Sequence, residues 1–217
     1  MEKIWICPSM MCANFGNLEK EIKELDEAGA DEYHLDFMDG DFVPNFAMGL
    51  HDLEFIRQAT DKPIDVHLMI SNPSEYVEFF ADKGADIIYF HPEADMHPAR
   101  TLAKISAKGK KAGIAINPGT SIETVRELLP LCDYILVMTV NPGFAGQKYL
   151  PFVDDKIDRL LQLKEKYNFE VSVDGAISPE RIRTLSQKGV RGFILGTSAL
   201  FGKEESYKEL IQEYKNY

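Results

Sequence analysis

Residues 170–195 read EVSVDGAISPERIRTLSQKGVRGFIL, and this stretch holds one complete structural unit together with the start of the next. Glu170 to Val173 is a short apolar run that suits a strand. Small residues follow it at Gly175 and Ala176. Ser178-Pro179 then marks a helix start, a capping side chain followed by proline at the first helical position, where its missing N–H is not needed. The amphipathic pattern ends at Gly189, placed as a left-handed C-terminal cap would be, and Gly192 to Leu195 begins another strand.

The same unit recurs roughly every 27 residues along the chain. Outward from residue 170, the candidate strands are Ile4 to Cys7, Glu32 to Leu35, Ile64 to Leu68, Ile87 to Phe90, Ala112 to Ile116 and Tyr134 to Val140. With the two above they make eight. Asn72-Pro73 repeats the cap-and-proline signal, and Gly29, Gly84 and Gly109 repeat the glycine that ends a helix. Eight βα units predict an α/β chain folded as a closed (β/α)8 TIM barrel. An open doubly wound sheet would need a Gly-rich phosphate turn after the first strand, where the chain has Pro8-Ser9-Met10-Met11 instead. A chain of 217 residues without a linker or low-complexity segment is expected to form one domain over residues 1–217.

Charge and composition exclude several functions. A formal net charge of −11 would repel nucleic-acid phosphates and anionic lipid, so neither nucleic acid nor membrane is expected as a partner. No apolar run approaches the roughly 18 residues of a membrane span. The N-terminal MEKIWICPSM has neither a basic start nor a small-residue cleavage site, and the expected location is cytoplasmic. Cys7, Cys12 and Cys132 show no metal-site spacing and read as small buried hydrophobes in a reducing compartment. An anionic ligand on so acidic a chain must be held by local backbone dipoles.

In a parallel barrel the chemistry gathers at the C-terminal ends of the strands. There the chain carries Ser9, then His34 and Asp36, His67, His91 and Glu93, Asn117, Asn141, Asp174, and finally Thr197 and Ser198. His34 and Asp36 are two apart and so face the same way, into the barrel, with Met38 continuing that face. Two imidazoles and two carboxylates at one mouth (His34, Asp36, His67, Asp174) suit one divalent cation, Zn²⁺ first, with Mn²⁺, Fe²⁺ or Co²⁺ as alternatives. The ion would also relieve the repulsion between the carboxylates. His51 and His97 lack such placement and read as surface residues. Met38, Met69 and Met138 lie near strand ends, where position alone favours core filler. The loop Asn141 to Gln147 is either a lid or a turn. Gly175-Ala176 and Gly196-Thr197-Ser198, after strands seven and eight, sit where such barrels bind phosphate through backbone N–H groups.

The segments Pro8-Ser9, His34-Leu35-Asp36-Phe37-Met38-Asp39-Gly40-Asp41-Phe42-Val43-Pro44-Asn45, Asp65-Val66-His67-Leu68-Met69, Asn141 to Gln147 and Val173-Asp174-Gly175 together resemble the ribulose-phosphate 3-epimerase family, in register over nearly the whole chain. The resemblance implies a barrel of the ribulose-phosphate-binding type. It implies metal ligands at His34, Asp36, His67 and Asp174, with Asp36 and Asp174 as the catalytic acid and base. It implies contacts to a sugar phosphate from Ser9, His67, Gly143, Phe144, Ala145, Gly146, Asp174, Gly175, Ala176, Gly196, Thr197 and Ser198. Met38, Met69 and Met138 then line the site in place of filling the core, and a homo-oligomer, from dimer to hexamer, is expected. Departures occur at Ser172-Val173-Asp174-Gly175-Ala176, where the family commonly has Glu-Val-Asp-Gly-Gly, and at Gly196-Thr197-Ser198 in place of Gly-Ser. His91-Pro92-Glu93, Gly143 to Gln147 and Gly196 to Phe201 look like the allulose-6-phosphate 3-epimerase branch, whose sugar is one carbon longer.

The implied reaction removes the proton at C3 of a 2-ketose phosphate and returns one to the opposite face, through an enediolate stabilised by the cation. It would convert D-ribulose 5-phosphate to D-xylulose 5-phosphate, or D-allulose 6-phosphate to D-fructose 6-phosphate. Two other readings use the same residues: a metal-assisted hydrolase with bound water as nucleophile, and a non-catalytic sugar-phosphate-binding barrel. The intact pair Asp36 and Asp174 argues against the latter. Decarboxylase barrels with an Asp-x-Lys-x-x-Asp strand motif fit poorly, since Asp36-Phe37-Met38-Asp39 holds no lysine.

Overall fold

The computed structural model describes residues 3–217; Met1 and Glu2, the first two residues of the stretch read for a leader, lie outside the described residues. Eight strands form one parallel sheet: β1 Trp5–Pro8, β2 Tyr33–Met38, β3 Ile64–Met69, β4 Ile87–Phe90, β5 Lys111–Ile116, β6 Tyr134–Met138, β7 Glu170–Asp174 and β8 Gly192–Leu195. The order β1-β8-β7-β6-β5-β4-β3-β2 goes round once, and a parallel bridge between Ser9 and His34 joins β1 to β2. The helices in the connections are α1 Leu18–Ala28, α2 Leu50–Ala59, α3 Val77–Asp82, α4 Pro98–Ala107, α5 Ile122–Val125, α6 Asp154–Tyr167, α7 Pro179–Lys188 and α8 Tyr207–Tyr214. This is the (β/α)8 TIM barrel that the repeat predicts.

Strand residues alternate between two cores. Ile6, Leu35, Val66, Ile88, Ile114, Ile135, Val171 and Phe193 face outward and are buried with helix residues such as Ile22, Leu25, Leu53 and Ile56. Each such side chain contributes about 1.5–3 kcal/mol by leaving water. Cys7, Ile87, Tyr89, Ala115, Leu136, Met138 and Ile194 face inward and plug the barrel. The wall made by β2 and β3 is different. Its inward residues include His34, Asp36, Asp65 and His67, with Glu32 just before β2, all buried.

Local signals at the helix ends are met unevenly. Ser178 accepts a hydrogen bond from the Arg181 N–H at 3.3 Å, and Pro179 opens α7. Asn72 makes no cap; Pro73 begins a 3₁₀ turn over Pro73–Glu75, and α3 starts only at Val77. Gly29 and Gly189 are left-handed C-caps, whereas Gly84 and Gly109 take positive φ one residue beyond the cap. Helix α6 ends on Asn168 at φ 58, the other residue type that tolerates this conformation. Strand β2 runs on to Met38, past the expected Leu35, so Asp36 and Met38 are held by the sheet itself. Strand β6 stops at Met138, short of the expected Val140, because the Thr139 N–H turns to the Asp174 carbonyl at 2.7 Å.

Candidate active site

The register of β2 and β3 sets His34 opposite Asp65 and Asp36 opposite His67. Each strand's pair is two residues apart, so all four side chains enter the barrel. Asp174 arrives from the end of β7, on the far side of β1 and β8. One donor atom from each of His34, Asp36, His67 and Asp174 lies within 4.8 Å of the others. Asp36 Oδ1 is 3.2 Å from His34 Nε2 and 3.1 Å from His67 Nδ1, and Asp174 Oδ2 is 3.9 Å from both nitrogens. Ser9 Oγ donates to the second Asp36 oxygen at 3.0 Å.

The rear nitrogens of both imidazoles have close polar neighbours too. His34 Nδ1 lies 2.6 Å from Asp65 Oδ1, and His67 Nε2 lies 2.8 Å from His91 Nε2. Two ring nitrogens that close need one proton between them, and when His67 Nε2 carries it, Nδ1 is left as a lone pair facing the cluster. His91 then carries its own proton on its Nδ1, which faces Glu93 Oε2 at 3.8 Å. Glu93 accepts from the Thr120 hydroxyl and the Asn117 N–H. Backing of this kind is what orients histidine ligands. Two imidazole lone pairs with two carboxylates form a donor set that fits a divalent cation.

The two carboxylates differ electrically. Burial works against ionising Asp36, but the His34 imidazole and then the hydrogen bond and charge of His67 hold its carboxyl far below the usual range. Asp174 is pushed up to about 7, first by burial, against the pull of His34 and with the charges of Asp36 and Asp65 adding to the rise. Burial likewise disfavours charge on His34, yet Asp65 and then Asp36 raise it well above the ordinary imidazole value. His91 falls to about 4 through burial, with Glu93 resisting. Burial also raises Glu32, and the charge of Asp65 raises it further.

Above the cluster opens a cleft with about 570 Å³ of free space, counting the solvent at its open side. Ser9, Asp36, Met38, Met69, Met138, Gly143, Phe144, Ala145, Gly146, Asp174, Gly175, Ala176, Gly196, Thr197 and Ser198 all line it, while His34 and His67 are fully buried in the cluster beneath. The residues singled out in the sequence therefore come together at one mouth. Among the described residues, none that lines the cleft is a lysine or arginine. Asn45 Nδ2 donates to the Gly143 carbonyl at 2.7 Å, tying the loop after β2 to the loop after β6. Gln147 Nε2 closes the latter by donating to the Asn141 and Phe144 carbonyls at 2.6 and 2.8 Å.

Behind Asp174 the chain turns tightly. Gly175 has φ 112, and a Cβ there would lie 2.4 Å from Val140 Cγ2, so only glycine fits. Ala176 follows at φ 53, an alanine in the left-handed region. The Thr139 hydroxyl donates to the Asp174 carbonyl at 2.9 Å and to the Gly175 carbonyl, holding the turn. Sequence reasoning passed over Thr139, Asn45, Asp65 and Glu32. The alternation of Asp65 and His67 on one strand carried a signal for Asp65. Cys7 and Cys132 are buried as expected, but Cys12 is only half-buried and lines the cleft beside Gly196.

Relatives share this arrangement of sequence from end to end. Residues 5–201 match the ribulose-phosphate 3 epimerase family. The chain is 43% identical to the ribulose-phosphate 3-epimerase of Synechocystis sp., over 99% of this chain and 94% of that one. It is 40% identical to the ribulose-phosphate 3-epimerase of Bacillus subtilis, over 96% and 97%. Among solved structures, a 3-hexulose-6-phosphate synthase superposes with a TM-score of 0.70 at 16% identity, covering 99% of both chains. A tryptophan synthase α-subunit variant from Pyrococcus furiosus gives 0.69 at 15% identity, covering 100% of this chain and 98% of that one. The last two share the barrel alone. With full-length relatives at such identity and a family model matching residues 5–201, this chain belongs to the ribulose-phosphate 3-epimerase family.

Proposed function

We propose that this chain interconverts D-ribulose 5-phosphate and D-xylulose 5-phosphate, with Asp36 and Asp174 exchanging the C3 proton on opposite faces of the sugar. The observation that carries this reading is the convergence of two carboxylates of unlike proton affinity at one mouth. Asp36, held ionised, is ready to take a proton. Asp174, raised to about 7 in the cation-free chain, returns one on the opposite face, and the roles exchange in the reverse direction. A divalent ion, Zn²⁺ before Mn²⁺, Fe²⁺ or Co²⁺, would be held by His34, Asp36, His67 and Asp174 and would supply Lewis-acid stabilisation of charge developing on the C2 oxygen.

The remaining residues orient and shield. Met38, Met69 and Met138 offer sulfur and methyl groups to a flat enediolate without presenting an acidic proton. Backbone N–H groups of Gly175-Ala176 and Gly196-Thr197-Ser198 hold the phosphate, as a cleft lined by no lysine or arginine requires. The loop Gly143 to Gly146, tied down by Asn45, keeps water from the reacting carbon. The family resemblance also supports a homo-oligomer working in the cytoplasm, which sedimentation and cell fractionation would check.

The decisive experiment incubates protein loaded with Zn²⁺, Mn²⁺ or Co²⁺ with ribulose 5-phosphate, and separately with allulose 6-phosphate, in D₂O. Deuterium at C3 of the epimerised product is expected, faster with the five-carbon sugar. Preference for allulose 6-phosphate would transfer the reading to the six-carbon branch. Cleavage of the sugar would instead mark a hydrolase, and absence of exchange a binding protein.

A further inference from the structure

The proton transfer above leaves two buried acids without a task. Asp65 is fully buried and Glu32 nearly so, and the charge of Asp65 bears on Glu32. Both lie beneath the mouth, in a barrel interior otherwise filled by Cys7, Ile87, Tyr89, Ala115 and Leu136. Glu32 also borders a pocket with Trp5, Asp31, Lys111 and Tyr134, residues at or near the starts of the strands. A polar column thus rises through Glu32, Asp65 and His34 to Asp36. Burying a carboxylate is unfavourable unless a specific partner meets it. For Asp65 that partner is His34, set opposite it by the strand register, with Nδ1 at 2.6 Å.

We propose that Asp65 is a positioning residue: with its carboxylate set against His34 Nδ1 it fixes the ring with Nε2 toward Asp36 and Asp174 and strengthens that nitrogen as a donor to a divalent cation. The inference rests on the metal reading given above. An imidazole can carry its proton on either nitrogen, and a proton on Nε2 would tie the ring to Asp36 at 3.2 Å and remove the lone pair. A carboxylate behind Nδ1 makes the neutral ring keep its proton on that side, which leaves the Nε2 lone pair for a cation. His67 supplies the contrast, since its rear nitrogen meets the imidazole of His91 and no carboxylate. A purely structural link between β2 and β3 would not call for a buried charge.

The test is a Co²⁺ titration, read by visible absorbance, of the unaltered chain and of Asp65→Asn, which keeps shape and an oxygen behind Nδ1 but removes the charge. The expected result is a 10- to 100-fold loss of Co²⁺ affinity and a changed cobalt spectrum. The KM for sugar phosphate at saturating Co²⁺ should stay unchanged. Equal affinity and an identical spectrum would overturn the inference, as would a lowered melting temperature with affinity intact, which marks a structural role. An unaltered chain that takes up no Co²⁺ would overturn the metal reading itself, and this inference with it. Should Asp65→Asn fail to fold, proton NMR of the Zn²⁺-loaded, ¹⁵N-histidine-labelled chain decides: a far-downfield His34 Nδ1 proton supports the inference, and its absence refutes it.

Discussion

Asp36 and Asp174 are the same residue in two surroundings. Asp36 sits on the β2–β3 wall with an imidazole on each side at 3.1 and 3.2 Å and the Ser9 hydroxyl on its other oxygen. Asp174 ends β7 with its side chain 17% exposed and both imidazoles at 3.9 Å. Donors crowded round the first keep it ionised, while burial and neighbouring negative charge push the second up to about 7. Opposite proton tendencies in identical groups arise from the number and nearness of donors, and a two-group inversion at carbon needs just such an unequal pair.

The strongest way to break this comparison is to remove either acid while keeping its shape. Asp174→Asn and Asp36→Asn are each expected to lower kcat by about 10²- to 10⁴-fold in a coupled assay. Near-normal activity in either variant would show that the pair does not share the proton transfer.

A pH series sharpens the comparison next. Asp174 is raised, so its proton is held more tightly in the folded chain than in the unfolded one. Its contribution to stability is therefore full below the ordinary carboxylate range and is lost as pH rises through about 7. Asp36 is lowered and behaves oppositely: its contribution is present above the ordinary range and is lost only in strong acid. A bound cation favours the ionised form of Asp174. Added Mn²⁺ should therefore raise the melting temperature more near pH 8 than near pH 6, with calorimetry showing tighter binding as pH rises. A cation effect that is flat across this range would contradict the assignment.

Smaller effects probe the turn that makes the Asp174 side of the mouth distinct. Thr139→Val removes the hydroxyl that bonds the Asp174 and Gly175 carbonyls and should cost about 1 kcal/mol in urea unfolding, with a modest fall in kcat. Ala176→Gly relieves a left-handed alanine but loosens the unfolded chain, for a net gain of about 0.5 kcal/mol. A loss of stability there would mean the alanine methyl makes contacts worth more than the strain.

What could be read from the sequence depended on short-range rules. Ser178-Pro179 and the glycines at 29 and 189 mark helix ends because capping involves only a few adjacent residues. His34 and Asp36 face the barrel together because strand side chains alternate with period two. Those local regularities, repeated eight times, were enough to determine the barrel and the strand ends where chemistry gathers. Ring closure decided the rest. Asp174 meets His34 only because β1 and β8 set β7 across the mouth from β2, and Asp65 meets His34 only through the register in which β2 pairs with β3. The link between His67 and His91 likewise needs β3 beside β4. Contacts between residues far apart in the chain depend on how whole strands pack, and no local pattern of residues encodes that distance.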